Sequence, residues 1–376
     1  EKRVWAFVIE RESIRLYELP DPSVKDRVQA FREAVRKREK AKWVALANQL
    51  FDDLVAPILS TAKKDIVLVP DDVLAYLPFE ALITEPVSSS APINQYPYWL
   101  RTHEISYAYS ALIWTRGRLG ASSNGGKLLS VAPAFDAPQF VQTGQRGLGP
   151  LLENQGEAQV VSELWGGKAL LGEAASLQTF RAESGRYQIL HLATHGKINE
   201  QAPGESFLAF YGETDTFRFA QRSYPQLTAL YLEDIYALPC RADLVVLSAC
   251  ETGIGKLYEG EGIASLARAF VNVGARSVLN TLWSVSDEGS SQLMQGFYAN
   301  LKAGQSRSAA LRNAKLELMR SRPDLAEPFY WASYVLIGDE RPMPRQHSER
   351  WIWGLLGLLG MAMAIGLIVS RRENSI

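Results

Sequence analysis

Short runs of consecutive apolar residues, separated by helical stretches, constrain the fold of this chain more than any other feature of its sequence. The run LVVL at 244–247 has no polar residue among its apolar ones, which is typical of a strand covered by helices on both faces. Alternation of such strands with helices predicts an α/β fold with a mostly parallel sheet. The predicted strands lie at 66–70, 128–132, 189–194, 244–249, 277–283 and 334–337.

The first part of the chain departs from this pattern. Segments 4–9 and 14–19, joined by a polar turn, predict a β-hairpin, and apolar residues at three- and four-residue steps predict a helical region over 24–59. Loops at 88–97 and 121–126 indicate a boundary after this part. The predicted division is an N-terminal part at 1–120, a core at 121–340 and a polar linker at 341–350.

An uncharged apolar run occupies 351–370 and is long enough to span a bilayer core of about 30 Å as a helix. Trp351 and Trp353 stand where interfacial aromatic residues belong, and Arg350 and Arg371 flank the run. We expect a single transmembrane helix here, followed by a tail at 371–376. The alternative is a buried hairpin or core helix. Arginines on both sides leave the membrane orientation open.

The amino-acid composition excludes a disordered or collagen-like chain. Apolar residues make up 47% and charged residues 22%, as in ordinary globular proteins, and the net charge of −1 gives no general attraction to nucleic acid or anionic lipid. The two cysteines, Cys240 and Cys250, form neither a disulfide framework nor a zinc or redox pair, so we expect no metal and no cofactor. A reducing compartment is the simpler expectation, with the core on the cytoplasmic side. The start at Glu1 indicates the later part of a longer protein.

One histidine and one cysteine share the same sequence context. His195 follows the predicted strand 189–194 and precedes Gly196, while Cys250 follows the predicted strand 244–249 and precedes a loop that contains glycine. Both therefore lie at the carboxyl ends of predicted parallel strands, where open α/β sheets bind their ligands. If the two strands are neighbours, the two side chains converge.

Convergence of these side chains would create a nucleophile. An imidazole beside a thiol lowers the thiol pKa from about 8.5 toward neutrality, and the histidine can return the proton to a leaving amine. The backbone N–H groups of Gly196 and Cys250 are candidates for an oxyanion hole. The alternative is structural, because cysteine is often buried and a histidine at a strand end is often only a hydrogen-bonded neighbour.

Six segments of the chain resemble the CHAT family, which belongs to the caspase, separase and gingipain clan of cysteine peptidases. The segments are AYLPFEALI (75–83), HLATHG (191–196), LSACETGIG (247–255), EGEGIASLARAF (259–270), SVLNTLWSVSD (277–287) and FYWASYVLIGD (329–339). The resemblance covers about residues 1–340 and implies a caspase-like α/β/α sandwich. It also implies a dyad of His195 and Cys250, with the Gly196 and Cys250 amides as oxyanion donors. The separation of 55 residues between the dyad members is close to the roughly 50 of caspases.

The function implied by this resemblance is hydrolysis of peptide bonds in a specific protein partner, without a cofactor. Tetratricopeptide repeat modules outside this segment would supply recognition, and the membrane helix would tether the enzyme. SACETG replaces the caspase sequence QACRG, so cleavage after aspartate is not implied. For the substrate pocket we select Asp287, which could receive an Arg or Lys side chain; the alternative is an N-cap of the following helix. Glu251 and Glu261 are weaker candidates.

Two other functions remain open. A non-catalytic CHAT scaffold could use the same fold for signalling or assembly. A nucleic-acid-activated effector would need basic surface, for which the sequence offers only the run at 36–42, typical of a solvated helix face. We expect His191 to be structural, because it belongs to the core face of its strand, and Cys240 to be an inert thiol.

Overall fold

Strands and helices alternate along most of the chain in the computed structural model. The described residues are 3–19, 23–59, 64–88, 90–119, 126–135, 148, 151–199, 201–212, 217–219, 222–224, 227–249, 256–258, 262–284 and 287–344.

The strands are β1 (Val4–Ile9), β2 (Ile14–Leu19), β3 (Asp65–Leu68), β4 (Glu104–Tyr107), β5 (Leu128–Ala132), β6 (Gly167–Leu171), β7 (Ile189–Leu192), β8 (Gly196–Lys197), β9 (Phe207–Tyr211), β10 (Phe217–Phe219), β11 (Arg222–Tyr224), β12 (Leu227–Tyr231), β13 (Leu244–Leu247), β14 (Lys256–Tyr258), β15 (Gly262–Ala264), β16 (Ser277–Thr281) and β17 (Tyr334–Gly338). The α-helices are α1 (Val24–Arg36), α2 (Lys40–Leu54), α3 (Ala111–Leu119), α4 (Asn154–Trp165), α5 (Leu177–Glu183), α6 (Leu232–Ile235), α7 (Leu266–Asn272), α8 (Asp287–Lys302), α9 (Arg307–Ser321) and α10 (Pro328–Trp331).

A large sheet forms the centre of the fold, and its strand order within the described residues is β3-β4-β17-β16-β13-β7-β5-β6. Neighbouring strands are parallel throughout, except that β16 and β17 are antiparallel. The predicted α/β fold with a mostly parallel sheet is therefore confirmed. Strands β4 and β6 were not predicted, because charged and glycine residues interrupt their apolar sequences.

The sheet is buried on both faces, which explains the strands without polar alternation. Along β13, Leu244 and Val246 pack into one hydrophobic cluster, and Val245 and Leu247 pack into another. Helices α4, α8 and α9 contribute to the first cluster, and α5, α6 and α7 contribute to the second. Because successive side chains of a strand point to opposite faces, each one is apolar.

Helix limits differ from the sequence prediction at two places. The helical region 24–59 is two helices, because the chain turns after α1, where Arg38 has a φ of 58°. Apolar residues at three- and four-residue steps also predict a helix over 261–273. Helix α7 begins only at Leu266, where the Ser265 hydroxyl caps it by accepting a hydrogen bond from Arg268 N–H. Gly274 ends this helix with a φ of +117°, in the left-handed region that favours glycine. The predicted division of the chain near residue 120 stays a prediction.

The expected single-pass membrane localisation is corrected by the helices of the structure. Within the described part of the chain, no helix combines the length and the apolar character needed to cross a membrane. The longest of these helices, α8, has 16 residues and is about 24 Å long, which is short of a bilayer core of about 30 Å. The run at 351–370, on which the expectation depended, lies outside the described residues.

Charged residues gather at the amino-terminal edge of the sheet. Arg276, which precedes β16, forms ion pairs of 3.0 Å with Asp243 and 2.8 Å with Asp339, and both carboxylates are buried. Burial alone would raise the pKa of Asp339, but hydrogen bonds from Arg341 and the charge of Arg307 hold it below the ordinary value. The stabilisation from this lowered pKa is present at neutral pH and is lost as the pH falls through it.

Replacement of Arg276 by methionine should lower the free energy of unfolding by about 3–5 kcal/mol, because it leaves two buried carboxylates without their shared partner. Urea unfolding followed by circular dichroism measures this change. The matched control is Arg320→Met, which breaks an exposed pair with Glu317 and should leave the stability nearly unchanged. Equal effects of the two substitutions would contradict the prediction.

Candidate active site

Strands β7 and β13 are parallel neighbours in the sheet, and their register places the residues three before His195 and three before Cys250 at the same level. Leu192 at the end of β7 pairs with Leu247 at the end of β13. His195 comes three residues after Leu192, and Cys250 comes three residues after Leu247. The two strands are therefore neighbours, which is the condition for the two side chains to converge. Cys250 itself lies outside the described residues, so the dyad stays a prediction.

The loop that carries His195 is held by strand β9 and by Phe135. The backbone carbonyl of His195 accepts a hydrogen bond of 2.9 Å from the N–H of Ala209 on β9, and the hydroxyl of Thr194 donates a bond of 2.6 Å to the Ala209 carbonyl. The imidazole packs edge to face against Phe135, with 4.5 Å between ring centroids, and His195 is 7% exposed. This packing restricts the imidazole at the carboxyl edge of the sheet.

The chain leading to Cys250 is also fixed by side chains. The carbonyl of Ala249, the preceding residue, accepts a hydrogen bond of 2.7 Å from the hydroxyl of Thr281 at the end of β16. The hydroxyl of Ser248 lies 3.3 Å from that of Ser290 on α8. The segment Ser248–Ala249, which precedes Cys250, therefore bonds to both a neighbouring strand and a helix.

The other predicted site residues are only partly described. Gly196 is buried and begins β8, which pairs with β9, and its oxyanion role stays a prediction. Asp287 is the first residue of α8, where an N-terminal carboxylate is common, and its pocket role also stays a prediction. Glu251 and Glu261 lie outside the described residues.

A cluster of buried polar side chains from β7, α4 and α8 lies near the carboxyl ends of β7 and β13. His191 on β7 places Nε2 3.1 Å from Oε1 of Glu157 on α4 and Nδ1 3.2 Å from the hydroxyl of Tyr298 on α8. The hydroxyl of Ser290 donates a 3.3 Å hydrogen bond to the other Glu157 oxygen and accepts one of 2.6 Å from Tyr334. His191 is thus buried as expected, but its partners are ionisable and hydroxyl groups rather than apolar ones.

Helix α4 supplies two polar residues to this region. Asn154, in its first turn, donates hydrogen bonds of 2.8 Å to the carbonyl of Pro133 and 3.1 Å to that of Ala193, two residues before His195. Glu157 follows one turn later. Neither residue was predicted from the sequence. The signal that could have revealed Glu157 is a carboxylate on the buried stripe of a helix, next to Ala158, where an apolar residue is usual.

Burial changes the ionisation of Tyr298, which belongs to this cluster, and of Cys240, which lies before β13. Burial raises the pKa of the Tyr298 hydroxyl well above its ordinary value, and the Glu157 carboxylate raises it further, so the hydroxyl stays protonated at neutral pH. Burial likewise raises the pKa of the Cys240 thiol to about 11. Within the described ranges, no group of three or more His, Cys, Asp or Glu side chains could hold a metal ion.

Comparison with known proteins identifies relatives of the chain. The family model described as the CHAT domain matches residues 44–339. Human tetratricopeptide repeat protein 28 is 29% identical over 215 residues, a match that covers 51% of this chain and 9% of that protein. The chain thus corresponds to less than a tenth of that relative's length.

Two solved structures resemble the fold. The separase–securin complex of Saccharomyces cerevisiae has a TM-score of 0.48 and 12% identity, over 74% of this chain and 15% of that chain. The complex of the pro- and mature domains of RgpB from Porphyromonas gingivalis also has a TM-score of 0.48, with 10% identity over 86% of this chain and 77% of that chain. Because both TM-scores are below 0.5, the function has to be inferred from the site's own residues.

The raised thiol pKa predicts that Cys240 is inert in the folded protein. At pH 7, Cys240→Ala should leave the rate of alkylation by iodoacetamide unchanged, because the buried wild-type thiol holds almost no thiolate. Mass spectrometry of the intact protein measures the rate. Unfolded protein, in which both cysteines take the label, is the control. Rapid modification of the Cys240 peptide in native protein would contradict the prediction.

Proposed function

The chain belongs to the CHAT domain family, and on that premise we propose that it is a cysteine peptidase that cleaves a specific protein partner with His195 and Cys250. One observation carries this proposal. The in-register parallel pair β7–β13 ends at the same level, with the histidine and the cysteine the same number of residues beyond the pair. Side chains in this arrangement emerge at the carboxyl edge of a parallel sheet, where ligands bind.

The proposed reaction is acyl transfer through a thioester. His195 takes the proton of the Cys250 thiol, and the thiolate attacks the carbonyl carbon of the scissile peptide bond. The N–H groups of Gly196 and Cys250 would donate hydrogen bonds to the oxyanion, and one such donor contributes about 3 kcal/mol in comparable enzymes. His195 then gives the proton to the leaving amine, and water hydrolyses the thioester with His195 as base.

The specificity of the proposed peptidase would depend on Asp287 at the start of α8. Its carboxylate would pair with an Arg or Lys side chain that precedes the scissile bond. Its position at the start of α8 is compatible with either the pocket role or the N-cap.

Cys250→Ala should abolish cleavage, and His195→Ala should reduce it at least about 1,000-fold, because each removes one member of a unit that works together. Mass spectrometry of new protein N-termini in a cell extract, with wild type and each variant, measures this effect. Cys240→Ala is the matched control and should give the wild-type set of N-termini. If Cys250→Ala produces the same new N-termini as the wild type, the peptidase proposal fails.

A second candidate function, a scaffold that binds helical repeats, is favoured by the hairpin β1–β2. One face of this hairpin packs on the core through Val4, Ala6, Tyr17 and Leu19. The other face exposes large apolar side chains, with Phe7 and Ile9 each 68% exposed. The residues of this exposed hairpin face are Trp5, Phe7, Ile9, Ile14 and Leu16.

The register of the hairpin makes these side chains contiguous. Phe7 pairs with Leu16 and Ile9 pairs with Ile14, so cross-strand neighbours lie on the same face. A contiguous exposed apolar patch marks an interaction surface. An array of tetratricopeptide repeats has an apolar end that needs a cover, and the human relative is named for such repeats. We therefore propose that the hairpin face covers a helical repeat.

Phe7→Ser should weaken binding of a tetratricopeptide repeat array at least about 10-fold, because it removes a central apolar contact. Isothermal titration calorimetry with the purified repeat array of the human relative measures the affinity. The matched control is Leu119→Ser on α3, which changes an isolated side chain that is 80% exposed. Equal weakening by both substitutions would contradict a specific role of the hairpin face.

A further inference from the structure

The polar face of helix α4 contacts the segment before His195 directly and is linked to the segment before Cys250 through Ser290. At its start, Asn154 is 8% exposed and bonds to the Ala193 carbonyl, which belongs to the loop leading to His195. One turn later, Glu157 is 4% exposed and accepts a hydrogen bond from Ser290. Because residues three apart lie on the same face of a helix, one rigid element reaches toward both strand ends.

Ser290 connects this helix to the cysteine side. Its hydroxyl lies 3.3 Å from the hydroxyl of Ser248, two residues before Cys250. The Tyr334 hydroxyl on β17 donates to Ser290, so Ser290 can donate to Glu157 while Tyr334 occupies one of its lone pairs. The segment before Cys250 is therefore connected through two hydroxyl groups to the carboxylate on α4.

The imidazole of His191 faces the Glu157 carboxylate in this buried cluster. Its imidazole is fully buried and lies 3.1 Å from Glu157, although neither facing atom makes an aligned hydrogen bond. Such a cluster is expensive to bury, and apolar residues of similar size often give equal or greater stability. The stability of the core therefore does not explain why a carboxylate, an imidazole and two hydroxyl groups meet here.

We propose that Asn154, Glu157, His191 and Ser290 are positioning residues that fix the distance between Ala193 and Ser248, which stand two residues before His195 and Cys250. This inference rests on the proposed peptidase function. Asn154 would act through the backbone carbonyl of Ala193, and Ser290 through the hydroxyl of Ser248. Displacement by about 1 Å can cost about 100-fold in rate, so even small movements of these loops would be felt in the reaction.

The test measures the ionisation of Cys250, which does not require a known substrate. In the Cys240→Ala background, the rate of alkylation by iodoacetamide is measured from pH 5 to pH 10 by mass spectrometry of the intact full-length chain. Asn154→Ala and Ser290→Ala should each lower the rate at pH 7 about 10-fold and move the midpoint of the pH profile upward, because a displaced imidazolium stabilises the thiolate less.

A purely structural role predicts a different outcome, which the control variant isolates. Ser277→Ala removes a buried 2.8 Å hydrogen bond to the Asp243 carbonyl at the opposite edge of the sheet. It should lower the melting temperature to a similar extent without moving the pH midpoint. If Asn154→Ala and Ser290→Ala lower the melting temperature but leave the midpoint at the wild-type value, the positioning role is overturned.

Two further measurements separate this inference from the proposed function. Glu157→Gln keeps the side-chain shape and replaces the carboxylate beside His191 with an amide. It takes the place of an alanine variant that fails to fold, and it should also move the midpoint of the alkylation pH profile upward. His195→Ala reports on the dyad itself. If the wild-type thiol titrates like a free cysteine and does not respond to His195→Ala, both proposals are overturned. If His195→Ala changes the alkylation of Cys250 but Asn154→Ala, Glu157→Gln and Ser290→Ala all keep the wild-type midpoint, only the positioning role is overturned.

Discussion

The parallel pairing of β7 with β13 is the constraint on which the rest of the site depends. Parallel strands exchange evenly spaced hydrogen bonds, so the register of one pair fixes the relative heights of everything that follows the two strands. A shift by one residue would also turn apolar side chains from one helical layer toward the other. Since both faces of the sheet are buried, this register is specified by packing along the whole length of each strand. The segments that follow the two strands, toward His195 and toward Ala249, therefore begin at a common level.

The two edges of the sheet hold charged or polar clusters of different kinds. At the amino-terminal edge, Arg276 joins Asp243 and Asp339 through close ion pairs, and each buried charge has a partner of opposite sign. At the carboxyl edge, Glu157 faces an imidazole and a hydroxyl group, and its contact with His191 is close but not aligned. The first cluster resembles an ordinary structural network. The second is less fully satisfied, and incompletely satisfied polar groups are more common at functional sites than in inert cores.

The two proposed functions use different parts of the molecule and do not compete for residues. The peptidase proposal depends on the carboxyl edge of the central sheet, whereas the scaffold proposal depends on the outer face of β1–β2. A repeat array bound at the hairpin could present a partner to the dyad, or it could be the whole function if the dyad is inactive. Membership of the CHAT domain family is compatible with both proposals.

The sequence by itself determined the sheet class, the limits of the hairpin and the strand-end context of His195 and Cys250, because these depend on local apolar patterns of adjacent residues. It did not reveal β4 or β6, whose short sequences carry little pattern, or the break between α1 and α2. Only the tertiary structure brought Asn154 and Glu157 to the two strand ends and joined Ser290 to Ser248. These contacts link residues as far apart as 157 and 290, and no local pattern in a single sequence encodes which distant side chains meet. The membrane helix was expected from the apolar length of one run alone, and no helix of the described chain supports that location.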